Sequence, residues 1–172
     1  MQYDIETLWQ QDKDHFVHPF TDFSDFHQSG CDIISHSEGA YIYDIKENKY
    51  LDGIAGLWCV NIGHGRAELG QVMAEQATKM AYYSPFNNLS NIPAIQLSAK
   101  LASLAPSNLN HVFYSCGGSV ANDQAIRIVH YYFNQIGETS KKKIISRYSG
   151  YHGTTYMASS LTGTVGNNEG FD

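Results

Sequence analysis

"YSCGGSVANDQAIR", residues 114–127, runs from the end of a strand into the start of a helix, with Gly117, Gly118 and Ser119 at the corner. Just before it, "HVFYS" at 111–115 has the pattern of a short apolar strand. After it, Ala121, Ala125, Ile128, Val129, Tyr132 and Ile136 mark one face of a long helix that Gly137 closes. The first N–H groups of a helix lack internal partners and stand at the positive end of its dipole. A phosphate at this corner would therefore gain directed hydrogen bonds. The same letters also spell an ordinary cap, with Ser119 as N-cap residue and the glycines serving only a tight turn. The corner is neither GxxxxGK[ST] nor GxGxxG, so ATP and dinucleotide readings lose their main support.

Moving downstream, "KKIISRY" at 142–148 reads as the next strand and leads into "GYHG" at 150–153. Strand, helix, strand at this spacing predicts a βαβ unit, hence a parallel sheet with a right-handed crossover. GYHG falls at the end where open parallel sheets bind ligands. There Tyr151 can lie flat on a planar ring and His152 can hydrogen-bond, or the two are a core tyrosine and a surface histidine. The chain ends in the loop "GNNEGFD", and one βαβ unit leaves strand edges and helix faces uncovered. An α/β fold incomplete at its C-terminus is the expectation.

Upstream, helix-compatible residues continue to His18-Pro19. Tyr41, Tyr43 and Ile45 alternate before a polar Lys46-Glu47-Asn48 turn and Tyr50-Leu51, a hairpin pattern. Leu69, Val72, Met73, Gln76, Ala77 and Met80 form one helical stripe. A further helix opens near Pro93 and stops at Pro106, with Leu97, Leu101 and Leu104 as its predicted buried face. Trp58, within "GLWCVNIGHG", either walls a pocket or fills a core.

Composition narrows the classes. A hydrophobic share of 42% with 16% charged residues indicates a folded chain. The net charge of −6 offers no clustered basic footprint for nucleic acid, and Lys141 to Lys143 read as a solvated strand entrance. Cys31, Cys59 and Cys116 show no CxxC spacing and the histidines no HExxH, so no metal site is expected. Cys116 reads as a small buried residue rather than a nucleophile. With an acidic N-terminus and no apolar run of spanning length, a cytoplasmic protein without membrane partners is expected.

Taken together, "FVHPFTDF", "GAYIYDIKENKYLDGIAGLWCVNIGHGR", "GGSVANDQAIR", "IISRYSGYHGTT" and "SLTG" resemble the N-terminal part of class III aminotransferases, the pyridoxal-phosphate (PLP) enzymes of fold type I. The omega-amino-acid or diamine:pyruvate branch is the most similar. The resemblance implies a mostly parallel sheet in a large domain, with residues 1–60 as the helix and hairpin of the small domain and 61–172 as the first part of the large one. It implies that Gly118 and Ser119 bind the PLP phosphate, that Tyr151 stacks on the pyridine ring and that His152 stands beside it. Phe20 and Trp58 would line the substrate pocket, and Phe86 would reach in from the partner subunit of a homodimer. An omega-amino acid or diamine would donate the amino group and pyruvate accept it.

The Schiff-base lysine and the carboxylate facing the ring nitrogen are expected beyond Asp172, so the chain itself holds no predicted catalytic residue. At the corner the family usually has Gly-Ser-Glu-Ala-Asn, and Val120 replaces the glutamate here. A non-catalytic fragment, keeping only phosphate binding or an assembly role, is the alternative reading.

Overall fold

In a computed structural model of the chain, residues 4–164 are described together with 166 and 169. The chain forms two compact units, Met1–Tyr83 and Ser84–Asp172.

The first unit opens with helix α1, Ile5–His15, because Asp4 caps it by accepting the Glu6 N–H at 3.3 Å. The helix ends before the predicted stop at His18-Pro19. Asp12 in its last turns accepts from the His18 ring at 3.0 Å, and the chain bends back to allow it. Asp22 caps α2, Phe23–Ser29, whose buried Phe26 meets the Trp9 ring edge-on at 4.9 Å.

Strands β1 (Ile34–Glu38), β2 (Tyr41–Asp44) and β3 (Lys49–Leu51) form an antiparallel sheet in that order. The β2–β3 connection is the hairpin the alternation predicts, with Tyr41 opposite Leu51 and Tyr43 opposite Lys49. Asp44 organises its turn. The buried carboxylate accepts the N–H groups of Lys46 and Asn48 and the Asn48 amide, each at 2.8 Å, and the Tyr50 hydroxyl at 3.0 Å. The Asn48 side chain first, then backbone donors and Tyr50, hold this carboxyl below its ordinary value of 3.8, and burial opposes them.

A group whose folded pKa is depressed stabilises the fold above its ordinary value and loses that contribution as pH falls through the lowered one. The Lys46 and Asn48 amide NMR shifts should therefore stay constant well above pH 3.8 and move only below it. In Asp44→Asn the acid-dependent movement should vanish.

After the sheet come α3, Ala55–Trp58, which is a single unusual turn, and α4, Ala67–Lys79. The second unit contains α5 (Ile92–Leu104), α6 (Gly118–Gln135) and α7 (Tyr156–Leu161). Asn91 caps α5 through the Ala94 N–H at 3.0 Å, and Pro93 occupies its first turn as predicted. Helices α6 and α7 pack together, and Ile126 of the first and Ala158 of the second are buried.

Three expectations are corrected. No strand forms at 111–115 or 142–148, and the parallel sheet reduces to an isolated bridge between Tyr148 and Gly163. A ladder needs a neighbour to receive its N–H and C=O groups, and the described residues supply none here. Ile145 and Tyr148 are 95% and 98% exposed as a result. Leu97, Leu101 and Leu104 were predicted buried and are exposed, because no described element of their unit packs along that face of α5. Cys116 is exposed rather than buried.

Candidate functional site

The glycine-serine corner is the start of α6. Its N-cap is Gly117, in extended backbone, so Ser119 lies inside the first turn and is not the cap. No side chain caps this end. The first intrahelical bond runs from the Ala121 N–H to the Gly117 carbonyl at 2.9 Å. The amides of Gly118, Ser119 and Val120 precede it, at the positive end of an 18-residue helix. Among the described residues, and apart from adjoining backbone, no heavy atom lies within 4 Å of where a Cβ would stand at Gly117 or Gly118.

The segment after GYHG closes onto this corner. The Ser119 hydroxyl accepts the Thr154 N–H at 3.1 Å, and the Asn122 amide donates to the His152 carbonyl at 2.6 Å. Gly153, at φ +131, sits so close that an added Cβ would be 2.5 Å from Ser119 Oγ. One turn along α6 the Asp123 carboxylate accepts the Thr155 hydroxyl at 2.8 Å and the Ala158 N–H at 3.0 Å, capping α7 from a neighbouring helix. Thr162, buried, accepts the His152 N–H at 3.0 Å. The Gly163 N–H donates to the Gly150 carbonyl at 2.8 Å.

Within this frame Tyr151 is 56% exposed, not a core tyrosine. His152 is half-buried, and its Nε2 is buried without a hydrogen-bond partner. A buried ring nitrogen left unpaired is costly in a folded protein. Gly118, Ser119 and His152 are therefore drawn together by the contacts of residues 152–154, with Tyr151 next to them in the chain.

Phe86 is also in the second unit, exposed, and its N–H donates to Ser84 Oγ at 3.2 Å. Phe20 and Trp58 belong to the first unit and are exposed, Trp58 by 74%. Trp58 ends the α3 turn, in which Ala55, Gly56, Leu57 and Trp58 have φ of 49°, 57°, 64° and 65°. Such left-handed backbone costs roughly 1–2 kcal/mol for each residue other than glycine.

Lys142 is fixed elsewhere. Its ammonium donates to the His130 carbonyl at 3.2 Å and to the Asn134 side chain at 2.5 Å. Those residues lie about 20 Å along α6 from the corner at 1.5 Å rise per residue. Lys142 is thus held by the end of α6 rather than freely solvated as the sequence suggested.

Sequence reasoning missed Asn122, Asp123 and Thr162, which tie the GYHG segment down. Spacing alone offered a signal for two of them. Asn122 and Asp123 stand three and four residues after Ser119, on the same face of α6.

A family profile described as aminotransferase class-III matches residues 27–171. The putrescine–pyruvate aminotransferase of Pseudomonas aeruginosa is 42% identical over 156 residues, 90% of this chain and 34% of that protein. Among solved structures, an (S)-enantioselective omega-transaminase from Thermomicrobium roseum superposes with a TM-score of 0.96 at 38% identity, covering 99% of this chain and 38% of that one. An omega transaminase from Pseudomonas jessenii in complex with PMP gives 0.93 at 38% identity, covering 96% and 36%. The chain thus spans about a third of the length of the relatives it matches.

Proposed function

The chain belongs to the class-III aminotransferases, and from that premise we propose that its α6 corner and GYHG segment hold pyridoxal phosphate in a transaminase passing an amino group from an omega-amino acid or diamine to pyruvate. The observation that carries this reading is the closure of residues 152–154 onto a first helical turn that no side chain caps. It supports a phosphate site and a ring site side by side.

The residues fit the cofactor. The amides of Gly118 and Ser119 supply donors at the positive helix end, and the open space at Gly117 and Gly118 lets an anion approach the backbone. Because the Ser119 oxygen already accepts the Thr154 N–H, its own hydrogen remains to donate to a phosphate oxygen. Tyr151 would cover one face of the ring, and the unpaired His152 Nε2 offers a further polar contact beside it. Bound there, the cofactor supplies an electron sink for the carbon bearing the amino group. Val120 brings no carboxylate to this corner, so phosphate holding rests on the amides and Ser119.

The donor and acceptor are taken from the P. aeruginosa relative, whose name states putrescine and pyruvate. Trp58 and Phe20 would face the donor, and Phe86 would enter from the partner subunit of a homodimer in the cytoplasm. Residues 1–60 would belong to the small domain and 61–172 to the large one.

Equilibrium dialysis tests the cofactor site. The protein should retain PLP at least 10-fold more tightly than pyridoxal, which lacks the phosphate, and Ser119→Ala should narrow the gap by about 10-fold, the scale of one charge-assisted hydrogen bond. Equal retention of the two compounds would refute the reading. The donor class is read from alanine formed from pyruvate in an enzyme carrying this segment. Formation with α-amino acids but not with 1,4-diaminobutane or β-alanine would contradict it.

A further inference from the structure

The α3 turn is left-handed through four successive residues, three of which carry side chains that disfavour it. Something must hold it, and Asp52 is placed to do so. Its Oδ2 accepts the Gly56 N–H, inside the turn, at 2.8 Å, and takes a second hydrogen bond from His64 Nε2, beyond the turn, also at 2.8 Å. A carboxylate oxygen is an acceptor only, so the His64 ring donates.

Both side chains are largely buried, Asp52 at 6% and His64 at 17% exposure. His64 is itself fixed to the apex between β1 and β2. Its N–H donates to the Gly39 carbonyl at 2.8 Å, and the Gly39 N–H donates to its carbonyl at 3.2 Å. The chain of bonds therefore runs from the sheet through His64 and Asp52 to the middle of the turn. The His64 contact first, and then the Gly56 amide, keep the Asp52 carboxyl below its ordinary range, so the anchor is ionised. A Cβ at Gly56 would lie 3.0 Å from Val60 Cγ2, a tight contact that the valine would have to ease, and its φ of +57° favours glycine as well.

We propose that Asp52, braced by His64, is a positioning residue that keeps the α3 turn left-handed and so fixes the Trp58 indole as the wall that selects the amino donor by size. The proposal rests on the reading of Trp58 as a pocket residue. Asp52 touches neither donor nor cofactor; it acts through the backbone that carries Trp58. A wall that can swing away no longer excludes bulk, and steric discrimination of this kind is typically worth about 10-fold or more.

The test has two independent readouts. In protein labelled with 5-fluorotryptophan, the Trp58 fluorine resonance is identified by its loss in Trp58→Phe. It should be one sharp line in the wild type, shifted or broadened in Asp52→Ala, and restored in Asp52→Asn, which keeps an acceptor for the Gly56 amide. In the cofactor-loaded enzyme carrying this segment, Asp52→Ala should reduce the kcat/KM preference between 1,4-diaminobutane and 1-phenylethylamine about 10-fold. Asp52→Asn should keep most of it.

An unchanged fluorine line in Asp52→Ala would overturn the proposal at the anchor. A disturbed line with an unchanged donor preference would overturn it at the pocket reading. His64→Gln guards against a variant that fails to fold, and should give an intermediate disturbance of the line. If that variant leaves the line as in the wild type, the brace is refuted.

Discussion

Gly153→Ala is expected to lower thermal stability and to cost the protein its grip on PLP. The added methyl would stand 2.5 Å from Ser119 Oγ and 2.8 Å from Ser119 Cα, so the collision reaches backbone and no rotamer change relieves it. The residue also holds φ +131, which side-chain-bearing residues rarely adopt. Strain of this kind costs about 1–3 kcal/mol, which for a chain of this size lowers Tm by several degrees. Ser119 must move if Gly153 does not, and the hydroxyl then no longer meets the Thr154 amide. PLP affinity should fall at least 10-fold. Gly70→Ala is the control, since Gly70 lies within α4 with open space at its Cβ position and alanine favours the helix by up to about 1 kcal/mol. Wild-type melting and PLP affinity in Gly153→Ala would show that the corner and the loop do not touch.

Asp123→Ala should release the same loop from its other side. The carboxylate accepts the Thr155 hydroxyl and the Ala158 amide, so its removal leaves α7 without the acceptor at its first turn. Losing an N-terminal helix cap costs typically about 0.5–2 kcal/mol. Hydrogen exchange at residues 154–160 should quicken by about 10-fold, the equivalent of 1.4 kcal/mol. Asp123→Asn keeps one acceptor and should show a smaller effect. Uniform exchange changes across α6, with none at α7, would contradict the assignment of Asp123 as the cap of α7.

Local elements were the most legible. The β2–β3 hairpin, α5 with Pro93 in its first turn and the long α6 follow from period, proline and turn residues that act within a few positions of one another. The two predicted strands around α6 were read from equally clear apolar runs. They did not form, because a strand is completed by its neighbours and not by its own residues. The start of α6 was legible as a glycine-serine bend, whereas the identity of its cap was not: serine is the better N-cap residue by type, yet Gly117 takes that place and frees Ser119 to meet Thr154.

The left-handed α3 turn had no clear signature. Only Gly56 hints at it, and Ala55, Leu57 and Trp58 argue against it locally. Its cause lies in Asp52 and His64, which meet across twelve positions of sequence. Asp123 was within reach of a spacing argument, since one helical turn separates it from Ser119. What spacing could not supply was the Thr155 and Ala158 end of the contact.

In the proposed function the first turn of α6, with Ser119, grips the phosphate of the cofactor. Amide NMR of labelled protein titrated with PLP, and in parallel with pyridoxal, reads that grip residue by residue. PLP should move the Gly118, Ser119 and Val120 resonances furthest, together with those of 151–154, and pyridoxal should leave the first three nearly still. Saturable shifts by PLP that leave residues 118–120 in place would contradict it.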